Sequence, residues 1–129
     1  MESVKCLREC HNTVINNCTI NSEEFGWKCN DIEINNSTIN SVYICFFLAL
    51  IMLKINNLRF SGKYSFQYME YLTITNSYLE TKDAFLQSKN VTVKNSTLKG
   101  EYLAQFSEGL TLINFKIFGS LKIPNLEVL

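Results

Sequence analysis

Hydrophobic and polar residues alternate along short runs of this chain, and the runs recur at a nearly constant interval. They read "TVINN", "IEINN", "LKINN", "LTITN", "VTVKN" and "LTLIN". Each run ends in an asparagine, and these are Asn17, Asn36, Asn57, Asn76, Asn95 and Asn114. The intervals between successive asparagines are 19, 21, 19, 19 and 19 residues. Alternation over so short a run predicts a β-strand, and its recurrence predicts a repeat protein.

Three columns of the repeat are apolar, at four and two residues before the asparagine and at three residues after it. Their members are Thr13, Ile32, Leu53, Leu72, Val91 and Leu110; Ile15, Ile34, Ile55, Ile74, Val93 and Leu112; and Ile20, Ile39, Phe60, Leu79, Leu98 and Ile117. Only Thr13 is polar, and the residues between the columns are mostly polar. We therefore predict that these columns form the core.

A strand that recurs every 19 residues leaves no room for a helix with its loops, so successive strands must pair in parallel, ~4.8 Å apart. The pattern predicts an all-β fold, a right-handed parallel β-helix of about six coils of about 19 residues. Leucine-rich repeats fit less well, because their asparagine motif is one residue longer and a helical segment follows it. A left-handed hexapeptide β-helix would show a six-residue subperiod, which this chain lacks.

The recurring asparagine has a structural explanation as a ladder. A buried amide at a corner can bond the asparagines above and below, and asparagine tolerates the left-handed backbone that a sharp corner needs. The residue after it is mostly small, as in Ser37, Ser77 and Ser96. Asn90 and Asn95 also open N-x-[ST] matches. We expect burial to keep Asn95 from a glycosyltransferase, and we interpret both matches as accidental.

The regular repeat covers residues 12–117 of a predicted single domain, 1–129. The segment 42–53 contains a two-residue insertion and an apolar run, and we expect Ile51 and Met52 to form an exposed apolar patch. The C-terminal segment 118–129 is also irregular, with a final partial strand expected from Leu126 to Val128. Exposed strand edges and the apolar patch offer surfaces for end-to-end or patch-mediated self-association.

The segment "SKNVTVKNSTLKGEYLAQFSEGLTLIN" resembles an uncharacterised bacterial family of pectin-lyase-like right-handed β-helix proteins, a domain of unknown function. Members of that family repeat W-x-S-K-N-[VL]-T-[VL]-x-N-[CS]. The resemblance covers about residues 12–117; Trp27 keeps the family tryptophan, whereas Leu86 and Gln105 replace it. Family members are longer, so the chain is expected to be a fragment or a degenerate copy. The resemblance implies the fold and no established activity.

Composition narrows the function classes. The 12 basic and 12 acidic residues give a net charge of zero, which argues against nucleic acid and anionic membranes as partners. The apolar run Val42–Leu53 would span ~18 Å as a helix, too short for a ~30 Å hydrocarbon core. The N-terminal residues lack the apolar stretch of a secretory signal, so we expect a cytoplasmic protein whose five cysteines are reduced thiols.

No constellation of residues predicts catalysis, and we expect no metal and no cofactor. Cys6, Cys10, Cys18 and Cys29 lack the C-x-x-C spacing of a zinc site, and Cys10 and Cys29 are stacked copies of one position. His11, the single histidine, falls at a position where later coils carry solvent-facing residues. The sequence therefore favours a structural or interaction module, with a polysaccharide lyase or glycoside hydrolase as the enzymatic alternative.

Carbohydrate is the alternative ligand. Tyr43, Tyr64, Asp83 and Tyr102 follow the ladder asparagine by seven residues, and Lys82 and Glu101 stand beside them. Tyrosine rings offer an apolar face with a polar tip, which suits a sugar ring. The competing interpretation is aromatic stacking with ordinary ion pairs between coils, such as Lys82 with Glu101.

Overall fold

The computed structural model describes residues 2–6, 9–25, 29–41, 46–48, 51–82, 84–101, 103, 107–119 and 126–128. Regular structure in this part of the chain is entirely β. The strands are β1 (Glu2–Cys6), β2 (His11–Asn16), β3 (Thr19–Phe25), β4 (Asn30–Ser41), β5 (Phe46–Leu48), β6 (Ile51–Gln67), β7 (Glu70–Thr75), β8 (Tyr78–Lys82), β9 (Lys89–Lys99), β10 (Glu108–Phe118) and β11 (Leu126–Val128). Among the described residues no helix has the length and apolar character of a membrane span.

The described strands pair in parallel, in the order β1-β3-β4-β6-β7-β9-β10-β11, with β2, β5 and β8 attached beside this path. Equivalent residues of successive repeats face each other, as Ile15 faces Ile34 and Ile74 faces Val93. The register also holds across the 21-residue interval, where Ile34 pairs with Ile55. The predicted parallel repeat and its alignment are confirmed.

The structure is a β-solenoid of about four turns, so the predicted count of six coils is not supported. Each of the six asparagines marks one point where the chain passes the same corner. Six such points enclose only five repeat intervals. A column along one corner does not show that each passage closes into a full turn.

The core lies inside the solenoid and is filled by the three predicted columns. All of their members are buried except Thr13 and Ile117, which are half-buried. Phenylalanines extend the core at a further bend: the rings of Phe60 and Phe66 lie 5.3 Å apart, and those of Phe66 and Phe85 lie 6.0 Å apart. Contacts between equivalent side chains of successive turns thus supply the apolar packing.

Each asparagine corner shifts the alternation of inward and outward side chains by one residue. In β9, Val93 is buried, Lys94 and Asn95 are both exposed, and Ser96 is buried again. The shift occurs because Asn95 adopts a left-handed backbone with a φ of 50°. The corner therefore turns the asparagine outward. Strands β4, β6, β9 and β10 continue through it, whereas at Asn17 and Asn76 one strand ends and the next begins.

The irregular parts follow the sequence expectations where the structure describes them. Met52 is exposed, as predicted for the apolar patch, whereas the side chain of Ile51 lies outside the described residues. Strand β5 pairs with β6 through Phe46 and Ser65. Strand β11 pairs with β10 through Leu126 and Leu110, which confirms the predicted partial strand.

Candidate functional site

The six ladder asparagines occupy one corner of the solenoid, as predicted, but on its outer side. Their φ angles lie between 49° and 56°, so the predicted left-handed backbone is confirmed. All six are exposed, and the expectation that they are buried is wrong. The one-residue shift at the corner points the asparagine outward and the following residue inward. Asn90 and Asn95 are both exposed, so the argument that burial protects Asn95 from glycosylation also fails.

The buried polar ladder at this corner is built by the next residue instead. Ser77 Oγ accepts the Leu58 N–H at 3.1 Å and donates to the Thr75 carbonyl at 2.9 Å. Ser96 Oγ in turn accepts the Ser77 N–H at 3.0 Å. These buried hydroxyls satisfy backbone groups that the bend removes from the sheet, as buried polar groups require. The sequence signal for this ladder is the serine that follows Asn36, Asn76 and Asn95.

A second column of inward hydroxyls and thiols lies seven residues before the asparagines. Ser88 Oγ accepts the Met69 N–H at 3.1 Å, and Ser107 Oγ accepts the Ser88 N–H at 3.2 Å. At the N-terminal end Cys29 Sγ accepts the Cys10 N–H at 3.3 Å. Burial raises the pKa of the Cys29 thiol, and the hydrogen bond from the Cys10 backbone N–H opposes this rise in part. These thiols therefore serve the same structural purpose as the serines.

The outer asparagine ladder is incomplete. Asn57 Nδ2 donates to Asn36 Oδ1 at 2.9 Å, and Asn114 Nδ2 donates to Asn95 Oδ1 at 2.8 Å. Asn76 leaves the column, because its Nδ2 donates at 3.0 Å to Asn56, the residue before the ladder position. The ladder is thus interrupted on both sides of Asn76.

The interruption leaves amide groups with hydrogen-bonding capacity at the surface. Within the part of the chain that the structure describes, Asn57 Oδ1, Asn76 Oδ1 and Asn95 Nδ2 bond to no other residue. An uninterrupted ladder would have used these atoms internally. They are exposed, so water or a ligand can bond them.

A groove of about 560 Å³ runs along this corner. Its lining residues are Asn36, Ser37, Thr38, Asn57, Leu58, Arg59, Asn76, Ser77, Tyr78 and Asn95. A second depression, lined by Asn95, Ser96, Thr97, Asn114 and Lys116, shares Asn95 with the first and continues it. We call the two together the asparagine groove. It follows the solenoid axis across successive turns and is suited to an extended ligand.

Arg59 and Tyr78 form the centre of the groove. They are paired neighbours on β6 and β8, and Arg59 Cζ lies 5.0 Å from the centroid of the Tyr78 ring. This is a cation–π contact. The Tyr78 hydroxyl donates to Glu80 Oε1 at 3.0 Å, and this hydrogen bond is the main reason that the pKa of Tyr78 is raised. The contacts orient an aromatic ring and a guanidinium beside the unpaired amides.

The predicted carbohydrate face is only partly described. Lys82 Nζ lies 3.9 Å from Glu101 Oε2, which confirms the predicted ion pair; both side chains are half exposed, so it stabilises little. Tyr64 pairs with Lys82, because the register shifts between Ser61 and Tyr64. The 19-residue spacing in the sequence predicts instead that Tyr64 lies in one column with Asp83. Tyr43, Asp83 and Tyr102 lie outside the described residues.

The cysteines and the histidine form no constellation in the described part of the chain. Cys10, Cys18 and Cys29 form no disulfide. His11 is exposed, as expected for a solvated position. No group of three or more His, Cys, Asp or Glu side chains that could hold a metal ion occurs among the described residues. The side chains of Cys6 and Cys45 lie outside them.

A second left-handed column lies at the second residue of the strands that lead to the asparagine corner, and it carries two unusual residues. Asn12, Asp31, Asn90 and Gly109 suit this backbone, but Met52 and Tyr71 occupy the same column with φ angles of 60° and 55°. Both side chains are exposed. A bulky residue with positive φ is strained. Bulky residues with positive φ also occur outside this column, at Phe66, Tyr68 and Phe85.

Comparisons with known proteins identify the family and no function. No curated protein and no solved structure matches the chain. No active site is identified. The sequence model of one family, described as "Protein of unknown function (DUF3737)", matches residues 1–127. A match over nearly the whole chain, together with the solenoid and its asparagine hydrogen bonds, shows that the protein belongs to the DUF3737 family.

Proposed function

We propose that the protein is a non-catalytic binding module that holds an extended glycan along the asparagine groove. The interrupted ladder is the observation that carries this proposal. An asparagine ladder that serves the fold alone should bond every amide to its neighbours. Here Asn76 bonds Asn56 instead, and Asn57, Asn76 and Asn95, whose amide atoms are left over, line the groove.

The chemistry of the groove suits sugars. Amide oxygens and nitrogens can accept and donate hydrogen bonds to hydroxyl groups. Tyr78 lines the groove, and the face of its ring that Arg59 does not cover is an apolar surface against which a sugar ring can pack. Successive turns repeat the amides at intervals of ~4.8 Å, so the groove offers a periodic row of polar contacts to a linear polymer. Because few apolar residues line the groove, each sugar should contribute little binding free energy. The affinity should therefore increase with the length of the glycan.

A glycan array followed by titration calorimetry tests the proposal. We expect the parent protein to bind a subset of linear glycans, with affinity that increases with oligomer length. Tyr78→Ala and Asn76→Ala should each weaken binding about tenfold. Tyr71→Asn is the matched control, because Tyr71 is also exposed but does not line the groove. Absence of binding to any glycan, or equal loss in the control, would contradict the proposal.

We propose as a second glycan surface the face predicted from Tyr43, Tyr64, Asp83, Tyr102, Lys82 and Glu101. The exposure of Lys82 and Glu101 supports it, because both polar side chains are open to a ligand and Lys82 pairs with Tyr64. Tyr64→Ala and Tyr102→Ala test this surface in the same assay. Binding that survives both substitutions and is lost with Tyr78→Ala assigns the ligand to the asparagine groove.

We also propose that the solenoid winds to the right, in the manner of pectin-lyase-like β-helices. Parallel strands joined by a crossover are right-handed in about 98% of cases, because of the intrinsic twist of the strands. The sequence resemblance given above points to the same class. A crystal structure at a resolution that fixes the chain trace would test the hand directly, and a left-handed trace would contradict it.

A further inference from the structure

We propose that the asparagine groove selects an acidic glycan, one whose sugars carry carboxylates, and that Arg59 and Lys116 are the groups that recognise the negative charge. The inference rests on the proposed function, since it names the ligand class of the same groove. It follows from the charges of the residues that line the groove. These are positive, whereas the net charge of the whole chain is zero.

Both charged residues that line the groove are cations. Arg59 lines its first part and Lys116 its second, and no carboxylate lines either part. Both side chains are exposed. Arg59 forms no ion pair within the described part of the chain, so its charge is not cancelled by a fixed neighbour. A concave site with cations and no lining anions favours a negatively charged ligand.

The two cations belong to one column of the repeat. Arg59 pairs with Tyr78, Tyr78 pairs with Thr97, and Thr97 pairs with Lys116. Three inter-strand steps of ~4.8 Å separate them by about 14 Å along the solenoid axis. A linear polymer lying in the groove can therefore meet both, and one with a carboxylate on every sugar places a negative charge near each.

Arg59 is also oriented for a carboxylate. Its guanidinium is held over the Tyr78 ring, with Cζ 5.0 Å from the ring centroid. A stacked guanidinium keeps its N–H edge available, and that edge matches the two oxygens of a carboxylate in a bidentate pair. The unpaired Asn57 Oδ1 and Asn76 Oδ1 can only accept, so they suit the hydroxyls of the same sugar and not its carboxylate.

Glu80 is the nearest acidic side chain that the described contacts place at this site. Its Oε1 accepts a hydrogen bond from the Tyr78 hydroxyl at 3.0 Å. That hydrogen bond fixes the carboxylate at the tip of Tyr78. Glu80 does not line the groove, so it sets one boundary of the site, beyond which an anionic ligand is repelled.

The test uses two linear oligosaccharides of equal length and linkage, an oligouronate and its carboxyl-reduced neutral counterpart. Titration calorimetry at low salt should show the oligouronate binding about tenfold more tightly, and added salt should reduce this difference. Arg59→Gln should weaken oligouronate binding about tenfold and leave binding of the neutral oligomer within twofold. Arg59→Lys should restore part of the loss.

Lys54→Gln is the matched control, because Lys54 is an exposed cation on the same strand outside the groove. It should leave both affinities unchanged, and circular dichroism of both variants should match the parent. Equal affinity for the two oligomers, or equal effects of Arg59→Gln and Lys54→Gln, overturns the acidic selection and leaves glycan binding standing. If neither oligomer nor any other glycan binds, both the selection and the proposed function are wrong.

Discussion

The hydroxyl of Ser77 supports the corner on which the asparagine groove is built, and its removal has a predictable cost. Ser77 Oγ accepts the Leu58 N–H at 3.1 Å and donates to the Thr75 carbonyl at 2.9 Å. Leu58 is only 2% exposed, so water cannot replace the lost acceptor in Ser77→Ala without a rearrangement. Two hydrogen bonds of about 1 kcal/mol each and an unsatisfied buried donor predict a loss of ~2–3 kcal/mol in the free energy of unfolding.

Urea denaturation followed by far-ultraviolet circular dichroism measures this loss. Ser61→Ala, at an exposed serine of β6, is the control and should stay within about 0.5 kcal/mol of the parent. Ser77→Cys should lose less than Ser77→Ala, because Cys18 occupies the same column and its Sγ donates to the Asn16 carbonyl at 3.2 Å. If Ser77→Ala costs no more than Ser61→Ala, the buried hydroxyls do not hold the corner and the reasoning is refuted.

Three further predictions concern backbone and thiol chemistry. Tyr71→Asn should raise stability by about 1 kcal/mol in thermal unfolding, because asparagine tolerates the φ of 55° at this position; a loss would contradict the strain argument. Gly100→Ala should destabilise by at least about 2 kcal/mol, since its Cβ would collide with the Thr81 carbonyl; wild-type stability would refute this contact. Native Cys29 should be alkylated more slowly than Cys18, because burial raises its pKa and shields it; faster alkylation, measured by mass spectrometry, would disprove it.

The parallel repeat could be predicted from the sequence because apolar spacing reports directly on what each turn buries. Ile34 and Ile55 are 21 residues apart, yet alignment on the asparagine paired them correctly. The orientation of the asparagine itself was harder to predict. The apolar position two residues before Asn95 implies that it points inward, whereas the apolar position three residues after it implies that it points outward. The left-handed backbone at Asn95 resolves the conflict, because it turns the Asn95 side chain outward.

The asparagine groove was missed for a related reason. A residue repeated in successive turns indicates a structural role, so the repeat of the six asparagines does not by itself predict a binding site. What distinguishes them is which amide bonds which, and Asn76 bonds Asn56 instead of its ladder neighbour. That choice depends on side-chain rotamers that no spacing reveals. The contact of Arg59 with Tyr78 was likewise hidden, although both positions lie two residues after a ladder asparagine.

The side-chain amide and guanidinium resonances of the protein test the central claim most directly. In a ¹⁵N–¹H spectrum titrated with a linear oligouronate, we expect saturable shifts of the Asn57, Asn76 and Asn95 Nδ2 groups and of Arg59 Nε. The side-chain amides of Asn21 and Asn40, which bond each other at 3.1 Å outside the groove, should not move. Unchanged groove resonances at saturating ligand, or shifts confined to Asn21 and Asn40, would contradict the assignment of the groove as the binding site.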